Sequence, residues 1–398
     1  MEPRAGAVSA PPPSRKPFLY GTRWLPATRR TWLRASRNTA LTGTWPAAVT
    51  VAPGTGHSPA RGDNVLMLAD IIEYLACPVC RAELRLDDAT LRCAQGHGFD
   101  VAKQGYVSLL TGSRPPGTAD TADMVAARAA FLDAGHYAPL AAALAETVRE
   151  LIPGGTHHSQ TTASGPGARE WGSAGRIGGR PDSGRVEAYR KPVVVDAGAG
   201  TGYYLANVLK AVDPGVGLAF DVSKHAIRRA ARAHPRAGAF VADVWRPLPI
   251  RDEVADVVID VFAPRNGPEF ARILRPGGSV VVVTPAPEHL SPLVERLGLL
   301  TVDEEKERRV ARSLAGFTEV ARRVVEFDLE LDRLGIAEVV RMGPSAWHTE
   351  AAKLEEQIAG YIAHKDRNDQ NGVTHREKVK AAFHLSIFET SPRSRAVP

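Results

Sequence analysis

Between residues 193 and 284 five short apolar runs, VVVDA, VGLAFD, AFVAD, ADVVIDVF and SVVVVT, recur with helical stretches between them. Runs this rich in Val, Ile, Ala and Phe suit strands covered on both faces. Their alternation with helices builds an open, mostly parallel α/β sheet. Further on, Val379, Ala381, Phe383, Leu385 and Ile387 alternate strictly, which predicts one more half-buried strand. The turn LRPGG at 274–278 precedes the fifth run, with Pro276 and Gly277 shaping the reversal.

The first run passes directly into glycines. Val193 to Gly202 reads VVVDAGAGTG and is followed by the helical stretch YYLANVL. Glycines at Gly198, Gly200 and Gly202, with Thr201 among them, let a ligand approach the backbone, and the following helix start offers unpaired N–H groups. Such a loop taken alone equally suits a dinucleotide. Three acidic positions narrow the choice: Asp196 closes the first strand, Asp221 the second, and Asp243 follows the third. In this setting Asp221 falls where ribose hydroxyls would lie and Asp243 where an adenine amino group would lie. The arrangement resembles the class I S-adenosylmethionine-dependent methyltransferases, a Rossmann-like fold whose ligands sit at the carboxyl ends of the strands.

All three cysteines of the chain, Cys77, Cys80 and Cys93, fall within seventeen residues, and His97 follows. An odd, clustered set argues for metal in a reducing compartment rather than for disulfides. The spacing C-x2-C-x12-C-x3-H gives two thiolates on one tight turn and a thiolate–imidazole pair on a second. That suits a closed, tetrahedral and structural zinc site in a zinc-ribbon-like module.

Six segments are expected. Residues 1–66, rich in Pro, Arg, Gly and Ser, read as a disordered extension, or as residues ahead of a true start near Met67. The zinc module covers 67–115 and a helical connector 116–153. The connector holds helices at about Ala122–Ala134, capped by Asp120 or Thr121, and Tyr137–Leu151, with Leu140, Leu144, Val148 and Leu151 as its apolar stripe. A Gly/Ser-rich flexible insertion spans 154–192, the sheet domain 193–390, and a tail 391–398. The net charge of +6 is misleading as a sign of nucleic acid, because the first 64 residues hold nine Lys/Arg and only two acidic residues. No run of about eighteen apolar residues occurs, so a soluble, cytoplasmic protein without a membrane span is expected.

Beyond these modules, GFDVAKQGYVSLL at 98–110, ARAAFLDAGHY at 127–137, FDVSKHAI, TPAPEHL at 284–290 and MGPSAWH at 342–348 give the chain its individuality. With CPVC…C…H and DAGAGTGYY they resemble the 23S ribosomal RNA guanine-N1 methyltransferases, a family that includes relatives protecting macrolide-producing bacteria. The resemblance covers about 75–390 apart from the insertion. It implies zinc on Cys77, Cys80, Cys93 and His97, a zinc domain that grips an RNA hairpin, and Tyr137, Gly200, Thr201 and His289 around the methyl donor. It also implies 23S rRNA as partner, a homodimer, and a target guanine near the peptide exit tunnel.

The chemistry asks mainly for positioning, because the donor carries the reactive methyl group. Ala263-Pro-Arg-Asn266 follows the fourth strand, where class I enzymes place substrate-facing groups. Arg265 and Asn266 are candidates to orient the guanine edge, and Asp260 is a candidate base. Tyr106, Phe131 and Trp347 are aromatic candidates for a displaced base. Two other readings stand beside this one: a small-molecule methyltransferase of antibiotic biosynthesis, and a zinc-dependent RNA-binding protein with an inactive sheet domain.

Overall fold

The computed structural model describes residues 68–112, 119–152, 190–298, 310–343, 351–368 and 376–391. The extension expected over 1–66 lies outside the described residues, as do Met67 and Trp347. So do the insertion expected over 154–192 except its last three residues, and the tail after Ser391.

The N-terminal module folds as three short strands, β1 (Leu84–Asp87), β2 (Thr90–Cys93) and β3 (Gly98–Asp100), in an antiparallel sheet of that order. Leu84 faces Cys93 across the first pair and Leu91 faces Phe99 across the second. A module this small cannot bury enough apolar surface to hold itself together. Its Leu68, Ile71, Leu75, Leu84 and Leu91 instead join one core with Val193, Val195, Phe220, Phe240 and Val258 of the main sheet. Glycine at 238 is what admits this docking, since a Cβ there would come within 2.4 Å of Ile71.

The chain then adds β4 (Tyr106–Ser108), α1 (Ala122–Asp133) and α2 (Ala138–Leu151). Both helices occupy the stretches their periodicity predicts. Thr121 Oγ1 accepts the Met124 N–H at 3.3 Å, Gly135 takes φ +82° beyond the end of α1, and Leu140, Leu144 and Val148 of α2 are buried. From there the elements run β5 (Val193–Ala197), α3 (Tyr203–Ala211), β6 (Val216–Asp221), α4 (Lys224–Ala230), β7 (Ala237–Val241), β8 (Ala255–Val261), α5 (Gly267–Ile273) and β9 (Leu274–Pro285). They end with α6 (Leu293–Leu297), β10 (Phe317–Leu331), α7 (Arg333–Arg341), α8 (Ala351–Asn368) and β11 (Glu377–Thr390).

The eight-stranded sheet has the order β10-β11-β9-β8-β5-β6-β7-β4. Its five expected strands all form and pair parallel, and β11 inserts antiparallel between β9 and β10. This is the class I methyltransferase sheet with one strand added at the β7 edge. Val194, Ile259, Val281 and Val283 point to the face covered by α2 and α3, while Val195, Val258, Val280 and Val282 point to the face shared with the zinc module. The strand order reverses at β5 and β8, the place where open α/β sheets bind ligands. Among the described residues no helix is long and apolar enough to cross a membrane.

Candidate functional site

Two turns build the metal centre. In the first, Cys77 N donates to Ala82 O and Arg81 N to Cys77 O, both at 2.8 Å, with Arg81 in the left-handed region at φ +64°. In the second, Cys93 N donates to His97 O and Gly96 N to Cys93 O, both at 3.0 Å, with Gly96 at φ +83°. The four ligand atoms of Cys77, Cys80, Cys93 and His97 all lie within 4.8 Å of one another. The shorter separations are 3.7 Å for Cys77 Sγ to His97 Nδ1, 3.7 Å for Cys80 Sγ to Cys93 Sγ, and 3.3 Å for Cys93 Sγ to His97 Nδ1. Zinc bonds of about 2.3 Å to sulfur and 2.0–2.1 Å to nitrogen give tetrahedral edges of about 3.5–3.8 Å, so the four residues fit zinc.

Arg81 also ties this centre to the segment between β7 and β8. Its guanidinium donates to Leu248 O at 2.6 Å and Ile250 O at 3.0 Å, while Ala76 N donates to Pro249 O at 3.0 Å. Arg272 of α5 reaches the same two carbonyls from the other side.

The candidate donor cradle is the turn between β5 and α3. Gly198, Gly200 and Gly202 have φ of +74°, +54° and +79°. Their surroundings differ. A Cβ on Gly198 would come 2.5 Å from Ala263 Cβ, and one on Gly202 would come 2.9 Å from Ala230 and Ala233. Gly200 is open, with only the Arg128 side chain near, at 3.6 Å from such a Cβ. Gly198 and Gly202 therefore serve close packing, and Gly200 faces the ligand side. Replacing Gly198 with alanine is expected to lower stability by roughly 1–3 kcal/mol more than the same change at Gly200, because overpacking adds to backbone strain at the first position only. Thermal denaturation of the two variants checks the ranking, and donor titration should show the larger affinity loss per unit of stability at Gly200. Equal melting temperatures would remove the Ala263 contact from the argument.

The acidic residues differ in what engages them. Asp221 accepts Gly200 N at 3.0 Å on one oxygen and Ser223 N at 2.8 Å on the other, which fixes it beside the cradle. Asp243 accepts Trp245 N at 3.0 Å and pairs with Arg246 at 3.5 Å, so it also caps its own turn. Asp196 is buried with Oδ2 lacking any hydrogen-bond partner, and burial followed by repulsion from Asp221 pushes its carboxyl up to about 8. The Tyr204 hydroxyl is likewise buried without a partner, held well above its ordinary range first by burial and then by Tyr137. Two buried polar atoms left unsatisfied beside a glycine turn call for polar ligand groups. The cradle fits S-adenosylmethionine on that ground.

Tyr137 and His289, far apart in sequence, meet here with Oη and Nε2 at 3.3 Å. His289 Nδ1 accepts Ala382 N at 3.3 Å, which in the neutral ring leaves the proton on Nε2 to donate to Tyr137. Phe131, Phe327 and Phe383 enclose Tyr137 with ring centroids at 4.9, 6.4 and 5.2 Å. Burial raises the Tyr137 hydroxyl above its ordinary range, so it stays protonated and its own hydrogen remains to be donated.

The loop after β8 is held tightly. Asp260 is fully buried and lies on the opposite face from Asp196, since Asp196 registers with Ile259. Its partner is Arg265 at 3.2 Å, and burial first of all keeps its carboxyl well above the ordinary range. Asn266 uses its oxygen to cap α5 through Glu269 N and its amide to donate to Val244 O at 2.8 Å. Of the aromatic candidates, Phe131 is fully buried, and Tyr106 sits half-buried in β4 against the core. Both pack against the core.

Sequence reasoning missed Arg128 and Tyr204 as site residues, although both lie inside quoted motifs. Arg128 pairs with Asp120, donates to Met342 O at 3.1 Å and overhangs Gly200. Nothing local marks it as a site residue, because Met342 and Gly200 come from distant segments.

Comparison with known proteins agrees with this geometry. Residues 75–112 match the family model described as RlmA, N-terminal, and residues 194–278 match a methyltransferase domain. The chain is 50% identical over 299 residues to a Micromonospora griseorubida protein named as a 23S rRNA (guanine-N(1)-)-methyltransferase, covering 74% of this chain and 93% of the relative. It is 49% identical over 295 residues to the 23S rRNA (guanine(748)-N(1))-methyltransferase of Streptomyces fradiae, covering 74% and 92%. A Bacillus subtilis (strain 168) protein named for the same activity is 28% identical over 282 residues, covering 68% and 86%. With a Cys3His cluster ahead of a class I methyltransferase sheet, and half identical to the Micromonospora griseorubida and Streptomyces fradiae proteins over nearly their whole length, the chain belongs to the family of 23S rRNA (guanine-N1)-methyltransferases.

Proposed function

We propose that this protein transfers the methyl group of S-adenosylmethionine to N1 of a guanine in a hairpin loop of 23S rRNA near the peptide exit tunnel. The observation that carries the reading is the zinc module sharing one core and one sheet with an intact donor cradle. A methyltransferase acting on a freely diffusing metabolite has no use for such a module, and an inactive sheet domain has no reason to keep buried, unsatisfied groups at the cradle. Acting on ribosomal RNA assigns the protein to the cytoplasm, and the family resemblance adds a homodimer to the reading.

Bound S-adenosylmethionine supplies an electrophilic methyl group on a sulfonium. The chain's own residues hold the two reactants. Asp221 is fixed to take the ribose hydroxyls, with Asp243 beside the adenine, while Asp196, Thr201, Tyr204 and the Tyr137–His289 pair surround the remainder of the donor. Arg265, anchored by Asp260, faces the guanine edge, and Asn266 holds the loop that presents it. As guanine N1 bonds to the methyl carbon, that carbon's bond to sulfur breaks with the electron pair left on sulfur, and the N1 proton leaves. The methyl group removes a hydrogen-bond donor and adds bulk on the guanine edge, and macrolide tolerance follows where a macrolide would lie against that base.

Incubating the full chain with protein-free 23S rRNA and donor, then digesting the RNA for mass spectrometry, is expected to give N1-methylguanosine. Primer extension should stop at one position in a hairpin loop. Methyl groups on adenine or ribose would reject the guanine assignment, and methyl groups only on a macrolide would reject the ribosomal one.

A further inference from the structure

Phe262 combines three features that meet nowhere else among the described residues. It is a large aromatic side chain, it is 43% exposed, and its backbone is in the left-handed region at φ +59°. A bulky residue rarely adopts that conformation, and such strain gathers at binding sites. Among the described residues the other non-glycine positions with positive φ are Arg81, Asp88, Glu253 and Leu290, none of them aromatic. Glycine would fit Phe262's backbone without strain, so a requirement for the ring itself is what the conformation implies.

The ring's location gives that requirement a purpose. Phe262 is the first residue beyond β8, at the carboxyl edge of the sheet, and its N–H donates to Val283 O at 3.1 Å. The next residue, Ala263, is so close to the donor turn that Gly198 has no room for a side chain. The residues after it are fastened by Arg265 to Asp260 and by Asn266 to Val244 O. One edge of the Phe262 ring rests on Tyr204, centroids 6.4 Å apart, and it leans on Phe383 at 5.5 Å. Tyr204 lies beside the cradle and Phe383 beside the Tyr137–His289 pair. The aromatic surface is thus braced from behind, one residue from the donor loop, with an exposed side.

We propose that Phe262 is the platform on which the target guanine stacks once it is drawn out of the RNA. This rests on the reading of the chain as an RNA guanine methyltransferase. Displaced bases are held by stacking on aromatic side chains, because every base has a π-face and loses its neighbours when it leaves the helix. Phe262 supplies the plane, and Arg265 supplies the polar group at the base edge. The two are three residues apart on one pinned loop, so plane and edge are presented together.

The test uses the full chain, protein-free 23S rRNA and S-adenosylmethionine, with single-turnover methyl transfer at limiting RNA. Phe262→Gly removes the ring and relieves the backbone. Phe262→Leu keeps apolar bulk and strain but removes the π-face. Both are expected to transfer roughly 5- to 150-fold more slowly, the range a lost base–aromatic stack gives. Donor affinity by calorimetry should stay within about twofold of the parent, and Phe262→Tyr should restore transfer. Parent-like rates in the Gly and Leu variants overturn the platform, as does a rate loss matched by an equal loss of donor affinity. A parent chain that leaves 23S rRNA unmethylated overturns the underlying reading instead, which separates the two failures.

Discussion

Replacing Cys77 with serine is expected to strip zinc from the protein and to loosen the β7 edge of the main sheet as well as the metal module. The centre is closed, with four ligand atoms within 4.8 Å of one another, so losing one thiolate leaves three ligands around an incomplete tetrahedron. In zinc-dependent modules the metal contributes its binding energy, about 10–16 kcal/mol in small peptides, directly to folding. Here the module's apolar residues belong to the core under β5, β6 and β7, and β4 pairs with Ala239, Phe240 and Val241. The expected readout is a fall from about one zinc per chain to a small fraction of that. It should be accompanied by faster hydrogen exchange at the amides of β4 and β7, while β9 and β11 at the far side stay protected. A folded, zinc-free variant with parent-like exchange at β7 would refute the coupling.

The second large effect is expected at Asp196. Burial and the neighbouring Asp221 raise its carboxyl from the ordinary 3.8 to about 8 in the folded, donor-free protein. The sign follows from proton counting. Between these values the folded state holds a proton that the unfolded state has released, so stability is complete below about pH 4 and is lost as pH rises through about 8. Asp196→Asn removes the titration. Donor-free stability should then fall less steeply with pH, and above pH 8 the variant should exceed the parent by several kcal/mol, on the order of 1.4 kcal/mol for each unit of raised pKa. Donor binding should move oppositely. A cationic ligand favours the ionised carboxylate, so parent affinity should rise with pH towards 8, with proton release on binding, while the variant should bind weakly and without that slope. Melting curves and calorimetry at pH 5, 6, 7 and 8 separate the two. A parent whose donor affinity is flat over that range would show that Asp196 does not face the donor.

The parts of this molecule that were legible in sequence are those set by local pattern. The metal ligands follow from spacing along two turns, the five parallel strands from unbroken apolar runs, and the caps of α1 from Thr121 and Gly135. What escaped was set by distant neighbours. The strand β10 (Phe317–Leu331) has no clear alternation over TEVARR because it lies at the sheet edge, exposed along most of its first half. Tyr106–Ser108 looks like part of the metal module and is, yet it pairs with β7, which only the folded register reveals. Asp196 and Asp260 end neighbouring strands and read alike, but the two-residue period sends them to opposite faces once Asp196 is matched to Ile259. Asn266 was a candidate for the guanine edge on position alone, and its capping bonds become visible only with Val244 and Glu269 beside it. Tyr204 and Phe262 were in view within quoted motifs, but their burial, exposure and strain are properties of the fold.

The pairing of β4 with β7 also bears on how the proposed RNA substrate would be measured. A binding module on a slack tether raises the local concentration of whatever it holds but leaves the held molecule free to swing. A module whose own strand is woven into the catalytic sheet works as a gauge with fixed jaws. On the proposed function, an RNA seated in one jaw would bring to the other only the nucleotide that falls at the right span and angle. A guanine one step along the loop is off the mark however tightly the RNA is held, so selection of the base becomes a question of the shape into which the RNA itself folds.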